Sequence, residues 1–375
     1  MRAPMKSRKP LSPNRYWICE ADVMDNESFM LVVDNARRWF AQHQPLADRI
    51  ARFHDGHAEA GDTRSTWTDM GWTALSVPEA EGGFDASMAQ CFQLLRLAGS
   101  DARPEPLDLI LMLGAVPALA PYMGGNMRLA LADRWFGQLE FTDAAQTVLH
   151  GSSGALYGGH LATHALLPVV VKAQGACVLK LACVALDSPG VLREAVRLID
   201  GRHTVRLRLQ QAAVQVLDSE ETTAPLADQV LDRAAAGLVA DASGVFKGAF
   251  ELTLDYLKQR RQFGRPLSDQ QALQHRMADI FCDLQQMLAL SERLAAEIDA
   301  QPAGPWTTLP IAKSFVGRRA LRAAGQLIQV SGGIGMTEEY RLGHYYKRLH
   351  VAATLFGDAE HQLRRIAVRE TLFAA

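Results

Sequence analysis

The sequence predicts an α+β fold, mainly helical, in three parts: an N-terminal helical domain, a small central β domain and a C-terminal four-helix bundle. Three observations predict it. From Phe29 to roughly Gly125 the signal is mostly helical; from about Met127 to Pro225 it changes to β-rich runs; from Leu226 the helical period returns and persists. The expected boundaries are 1–28 for an extension without clear period, then 29–126, 127–225 and 226–375 for the three domains.

In the first part Leu94, Leu95 and Leu97 belong to one helical run, and Pro78 with Gly82-Gly83 marks a connection between helices. In the middle part Val169-Val170-Val171 and Val178 to Leu186 read as strands, and Asp187-Ser188-Pro189-Gly190 as a turn. The clearest strand alternates Val205, Leu207 and Leu209 with Arg206, Arg208 and Gln210, which gives one buried and one wet face. In the last part Phe246, Phe250, Leu254 and Leu257 share a helix face, as do Leu273, Met277, Ile280, Leu284 and Met287. The loop Gln301 to Trp306 separates that second helix from a third. Gly332-Gly333 end the third, and Asp358 is placed to begin a fourth.

Composition narrows the function classes. A formal charge of −2 gives no electrostatic reason to expect nucleic acid or an anionic membrane as partner. No stretch is apolar for long enough to span a bilayer, and the basic opening (Arg2, Lys6, Arg8, Lys9) is not followed by an apolar run, so no secretory signal is expected. Five cysteines without CxxC spacing suggest reduced thiols in the cytoplasm. His54, His57, His160 and His164 have no acids or cysteines at ligand spacing, so no metal is expected. Gly151-Ser152-Ser153-Gly154 reads as a β-turn, because the spacing of a nucleophile elbow is absent.

Several blocks carry more. Arg260-Arg261-Gln262-Phe263-Gly264 is followed by Gln270-Gln271, then by Ile311-Ala312-Lys313-Ser314-Phe315 and Gln329 to Gly335; upstream stand Met70-Gly71-Trp72, Val77-Pro78-Glu79 and Gly82-Gly83. In this order they resemble the acyl-CoA dehydrogenase superfamily over most of the chain. The resemblance implies FAD as cofactor, with Arg260, Phe263, Gln271, Gln329, Gly332 and Gly333 (and Gly335 beside them) reaching a flavin bound mainly by a neighbouring subunit. The chemistry suits those types: a guanidinium clamps a diphosphate through two N–H groups, an aromatic ring stacks on adenine, and glycines let backbone N–H groups approach phosphate. The plainer reading is that Arg260 ends a helix and Gly332-Gly333 cap one.

The same comparison implies a missing base. The family's glutamate, which removes the α-proton of the acyl thioester, aligns with Gly357; the alternative position used by some members aligns with Ala234. Asp358, Glu360 and Asp232 stand nearby as substitutes, although Asp358 suits an N-cap and Glu360 the first turn of a helix. The flavin-facing "SEPxxGSD" segment corresponds to Ala130 through Gln138, which lacks Ser, Thr and Glu-Pro and offers Trp135-Phe136 as packing residues. Gly343-His344-Tyr345-Tyr346-Lys347-Arg348 with Phe356-Gly357-Asp358 resembles the small subunits of α2β2 members of the family. The implied role is a partner subunit that shares FAD with a catalytic subunit, acts on an acyl-CoA and passes electrons to an electron-transfer flavoprotein. Two alternatives stay open: a homomeric dehydrogenase with a displaced base such as Asp358, and a non-enzymatic structural or regulatory relative.

Overall fold

The computed structural model describes residues 24–43, 63–119, 122, 128–133, 138–173, 176–217 and 226–368. Helix α1 (Asn26–Gln42) starts inside the stretch expected to be an extension, because the Asp25 carboxylate accepts the Ser28 N–H at 2.9 Å and caps it. The rest of that expected extension, residues 1–23, lies outside the described residues. After α2 (Thr63–Asp69), α3 (Met88–Ser100) opens with a capping box between Ser87 and Gln90, and α4 (Leu107–Gly114) follows. Leu94 and Leu95 are buried, as the helical run requires.

The β domain comprises β1 (Leu129–Ala132), β2 (Gln138–Phe141), β3 (Val148–Tyr157), β4 (His164–Ala173), β5 (Ala176–Ala185), β6 (Val191–Arg197), β7 (His203–Ala213) and β8 (Gln215–Leu217). The strand order is β6-β7-β3-β1-β4-β5-β8 with β2 beside β3, and every pairing except β1–β4 is antiparallel. Period-two alternation sets two cores. Leu129 and Leu131 pack with the helices, whereas Ala130 and Ala132 join Leu167, Val184 and Leu207 inside the β domain. Leu207 and Leu209 are buried while Arg206, Arg208 and Gln210 are exposed, as the sequence predicts.

Helix α5 (Leu226–Gln259) is 34 residues long, about 51 Å at the helical rise. It is buried on nearly every side over its first half because α3 and α4 cover one flank and the other C-terminal helices the rest. Two glycines set the α3–α5 crossing. A Cβ on Gly244 would lie 1.9 Å from the Arg96 carbonyl oxygen, and one on Gly99 would lie 2.2 Å from that of Asp241. Next come the hairpin strands β9 (Arg261–Gln262) and β10 (Arg265–Pro266), α6 (Gln271–Ala300), α7 (Thr308–Phe315), a π turn over Val316–Ala320, and α8 (Leu321–Ser331). Glu297 at the end of α6 accepts the N–H groups of Thr307 at 2.6 Å and Thr308 at 2.9 Å, which satisfies the start of α7.

One expectation needs correcting. The fourth long helix is α9 (Arg341–Thr354), and the helix that Asp358 begins is a fifth, shorter one, α10 (Ala359–Val368). The turn Leu355–Asp358 separates them because Phe356 and Gly357 have positive φ (55° and 96°), a conformation that ends a right-handed helix. Among the described residues no helix is long and apolar enough to cross a membrane.

Candidate functional site

Helices α5 and α8 both finish at one end of the bundle, where α6 and α9 begin. The Tyr256 and Tyr340 rings meet there with centroids 6.1 Å apart, and the Tyr340 hydroxyl donates to the Leu252 carbonyl at 3.4 Å. These contacts bring together residues that the sequence places some eighty positions apart. Arg260 follows α5 directly; its N–H donates to Tyr256 at 2.9 Å and its carbonyl accepts from Leu267 at 2.8 Å, so the backbone is fixed while the side chain is exposed. In the hairpin Gln262 pairs with Arg265, and Phe263 (φ 53°) and Gly264 (φ 81°) form its two-residue turn. A left-handed aromatic residue costs on the order of 1 kcal/mol or more, yet the Phe263 side chain is 93% exposed and gains no packing in return.

Gln271, the first residue of α6, and Gln329, in the last turn of α8, are both exposed at this end. Gly332 (φ 69°) ends α8, and a Cβ on Gly332 or Gly333 would meet nothing within 4 Å. Their backbone is therefore open to close approach, whereas Gly335 is buried against Ile328 and Ser331. All six residues expected to hold the flavin thus lie at one end, with solvent-facing side chains or backbone.

The two positions aligned with the family's base lie at the other end. Ala234 and Arg260 are separated along α5 by about 39 Å at the helical rise. Ala234 is buried, and Asp232 beside it is engaged by Arg365 through two bonds of 2.7 and 2.6 Å. Gly357 sits in the turn before α10, where a Cβ would lie 2.5 Å from His361 Cδ2 and 2.8 Å from Gln362 Nε2. Asp358 caps α10, accepting the His361 N–H at 2.9 Å, and Glu360 pairs on the surface with Arg364 at 2.6 Å.

Side chains fill the space beside that turn. The Phe356 N–H donates to Asp133 at 2.7 Å, and the Phe356 ring meets Tyr157 edge-on at 6.0 Å. Tyr157 donates to Asp108 (2.7 and 2.8 Å to its two oxygens) and accepts from Arg202; Arg348 grips Asp241 through bonds of 2.9 and 2.8 Å. Burial pushes the Asp108 carboxyl up and the Tyr157 phenol well above its ordinary value. A cavity bounded by Pro106, Tyr157, His160, Arg202 and Thr204 has a volume of about 10 Å³; that is room for one water at most. Lys313 is buried in α7 and donates to the Ala352 carbonyl; burial holds its amine down to about 7, against the pull of Asp133 and Asp358.

Sequence reasoning missed Asp133, Tyr157 and Lys313 as parts of this end. Lys313 was open to notice as the one charge inside the apolar run Leu309–Phe315. Of the expected flavin-facing stretch Ala130–Gln138, Ala130 to Ala132 form buried β1, while Trp135 and Phe136 lie outside the described residues. No group of three or more His, Cys, Asp or Glu side chains able to hold a metal occurs among the described residues.

Residues 224–371, the helical C-terminal part of this three-part fold, match the family "Acyl-CoA dehydrogenase, C-terminal domain", and the chain as a whole is similar to acyl-CoA dehydrogenases. Its relatives include the acyl-CoA dehydrogenase IpdE2 of Mycobacterium tuberculosis, 36% identical over 151 residues, which are 40% of this chain and 46% of that one. The chain thus spans less than half of IpdE2. The acyl-CoA dehydrogenase FadE28 of the same organism is 27% identical over 318 residues, 80% of this chain and 90% of that one. Among solved structures, a chain of the ChsE4-ChsE5 complex from Mycobacterium tuberculosis shares the fold with a TM-score of 0.79 at 20% identity, covering 95% of this chain and 100% of that one.

Proposed function

We propose that this chain is a subunit of a cytoplasmic FAD-dependent acyl-CoA dehydrogenase, that it supplies no base of its own, and that it completes a flavin site shared with a catalytic partner. The observation that carries this reading is the distance between its two ends. Arg260 stands about 39 Å along α5 from Ala234, the alternative base position, so one flavin does not reach both of these within a single chain. A site built by Arg260 and its neighbours needs the other half from another subunit.

The residues present fit such a group. Arg260 offers an exposed guanidinium on a fixed backbone, suited to binding two diphosphate oxygens at once. Phe263 presents a bare ring for stacking, and the open backbone at Gly332-Gly333 admits phosphate to hydrogen-bond distance of N–H groups. Gln271 and Gln329 add amides that can donate or accept. Bound flavin supplies the acceptor for the hydride that leaves the acyl β-carbon when a 2,3-enoyl-CoA forms. The α-proton needs a carboxylate, and Gly357 and Ala234 offer none; Asp358, Glu360 and Asp232 are each engaged elsewhere. We assign the base to the partner, in an α2β2 assembly that hands electrons to an electron-transfer flavoprotein. The ChsE4-ChsE5 complex supplies a precedent in this fold for an assembly of unlike chains. We propose 127–225 and 226–375 as the limits of the second and third domains, with the first domain opening at α1 (Asn26) and not at residue 29.

The test is the visible spectrum and native mass of the chain purified alone and with a co-expressed catalytic subunit. The expected result is no flavin band alone, and a flavin band bleached by acyl-CoA in the complex. A stoichiometric flavin in the isolated chain, bleached by acyl-CoA, would overturn the reading.

A further inference from the structure

We infer that His344 is a positioning residue for the Gly332–Gly335 turn, the part of the proposed flavin site that receives the diphosphate. The inference rests on the reading above, and what it adds is the side chain that holds the turn in place.

After α8 the chain runs through a short 3₁₀ segment, Gly332–Met336, before α9 begins at Arg341. Within the segment Gly335 is buried and the Thr337 N–H donates to the Ile334 carbonyl at 3.1 Å, while Gly332 and Gly333 are open and Met336 is 77% exposed. Its support comes from behind, where the first turns of α9 are tied down at three points. Tyr340 packs on Tyr256, Arg341 pairs with Asp101 at 2.9 Å, and the Tyr345 hydroxyl donates to the Ser100 carbonyl. Those three side chains fix α9 to α5 and to the end of α3.

His344 points the other way along the chain. Its Nε2 lies 2.9 Å from the Glu338 carbonyl oxygen. A carbonyl only accepts, so Nε2 carries the proton and donates. The bond links the anchored helix to the loop that continues from the glycine turn. Gly343 backs onto the same loop, its Cβ position 3.9 Å from the carbonyl oxygens of Gly335 and Thr337. Removing the His344 bond loosens residues 336–339 from α9 and lets the N–H groups of the turn drift from a fixed aim. His344 is half-buried behind the turn, so its loss should weaken flavin binding and leave the chemical step alone.

The experiment uses the chain in complex with its catalytic partner, stripped of FAD and titrated back with FAD, for wild type, His344→Ala and His344→Gln. The Kd for FAD should rise about fivefold to tenfold in His344→Ala, as expected for one neutral hydrogen bond. His344→Gln, whose amide N–H can reach the same carbonyl, should restore most of the affinity. The kcat at saturating FAD should be unchanged in both. Unchanged affinity in His344→Ala, equal loss in His344→Gln, or a fall in kcat at saturating FAD would each overturn the inference. A wild-type complex that binds no FAD would overturn the flavin reading itself, whereas a flavin-replete wild type with an indifferent His344→Ala overturns the positioning role alone.

Discussion

The Asp133 carboxylate accepts the backbone N–H of Phe356 at 2.7 Å, joining the end of the first strand to the turn that precedes the last helix. In sequence these residues stand 223 positions apart, in the β and C-terminal domains. In space they close the junction beside Gly357, and both are buried. Asp133→Ala leaves the Phe356 N–H without an acceptor and takes a negative charge from the surroundings of Lys313. A loss of about 1–3 kcal/mol in unfolding free energy is expected. Asp133→Asn keeps an acceptor and should lose less. Urea denaturation of the two variants separates these outcomes, and equal losses would mean the bond to Phe356 is not what stabilises the junction.

Lys313 gives the junction a pH dependence of known sign. Its folded amine titrates at about 7, below the ordinary 10.5, because burial disfavours the charged form. Between those two values the unfolded chain binds a proton that the folded chain does not, so this residue makes stability rise as pH increases from about 7 toward 10. Below pH 7 both states are protonated and the full burial cost of the charge is felt, on the order of 5 kcal/mol by linkage. Lys313→Met removes the charge, and the slope with it. Unfolding free energies of wild type and variant at pH 6, 8 and 9.5 should converge as pH rises. A constant difference across that range would show that Lys313 titrates elsewhere.

The residues proposed for the flavin side could be picked out in the sequence because the role proposed for them rests on backbone and exposed side chains. Gly264 and Gly332 are the residue type that takes a positive φ freely, and Arg260 and Gln329 need no buried partner to be read, whereas the left-handed φ of Phe263 has no such mark in the sequence. The opposite end was not legible. Tyr157, Asp108, Arg202 and Phe356 meet only after three domains pack, and nothing in their local spacing marks them as neighbours. Helix α9 escaped separation from α10 for a related reason. Leu342, Tyr345, Leu349 and Ala352 form an apolar stripe, but Arg348 is also buried, through its ion pair with Asp241, and breaks the pattern.

Placing a carboxylate back at the aligned base position should fail. Gly357 has φ 96°, and a Cβ there would overlap His361 and Gln362, so Gly357→Glu must distort the turn that Asp358 caps. Strain of this kind costs roughly 1–3 kcal/mol, and the cavity beside Tyr157 cannot admit an acyl chain. The expected variant has a lower Tm and no acyl-CoA oxidation by the isolated chain. Flavin-dependent turnover by Gly357→Glu alone would mean that the chain retains a complete site.

The strain at Phe263 separates stability from assembly. A left-handed aromatic residue that touches nothing in its own chain is a cost that the isolated chain bears without return. Glycine takes this φ freely, so Phe263→Gly should raise the stability of the isolated chain by a few tenths to about 1 kcal/mol, after allowing for glycine's greater unfolded entropy. The same change removes the ring offered to the shared flavin. In the complex, FAD affinity should fall about tenfold, the scale of one lost aromatic stacking contact. Thermal denaturation of the chain alone and FAD titration of the complex should therefore move in opposite directions. If both fall, Phe263 supports its own hairpin; if the chain gains stability and the complex binds FAD as before, the exposed ring serves some contact other than the flavin.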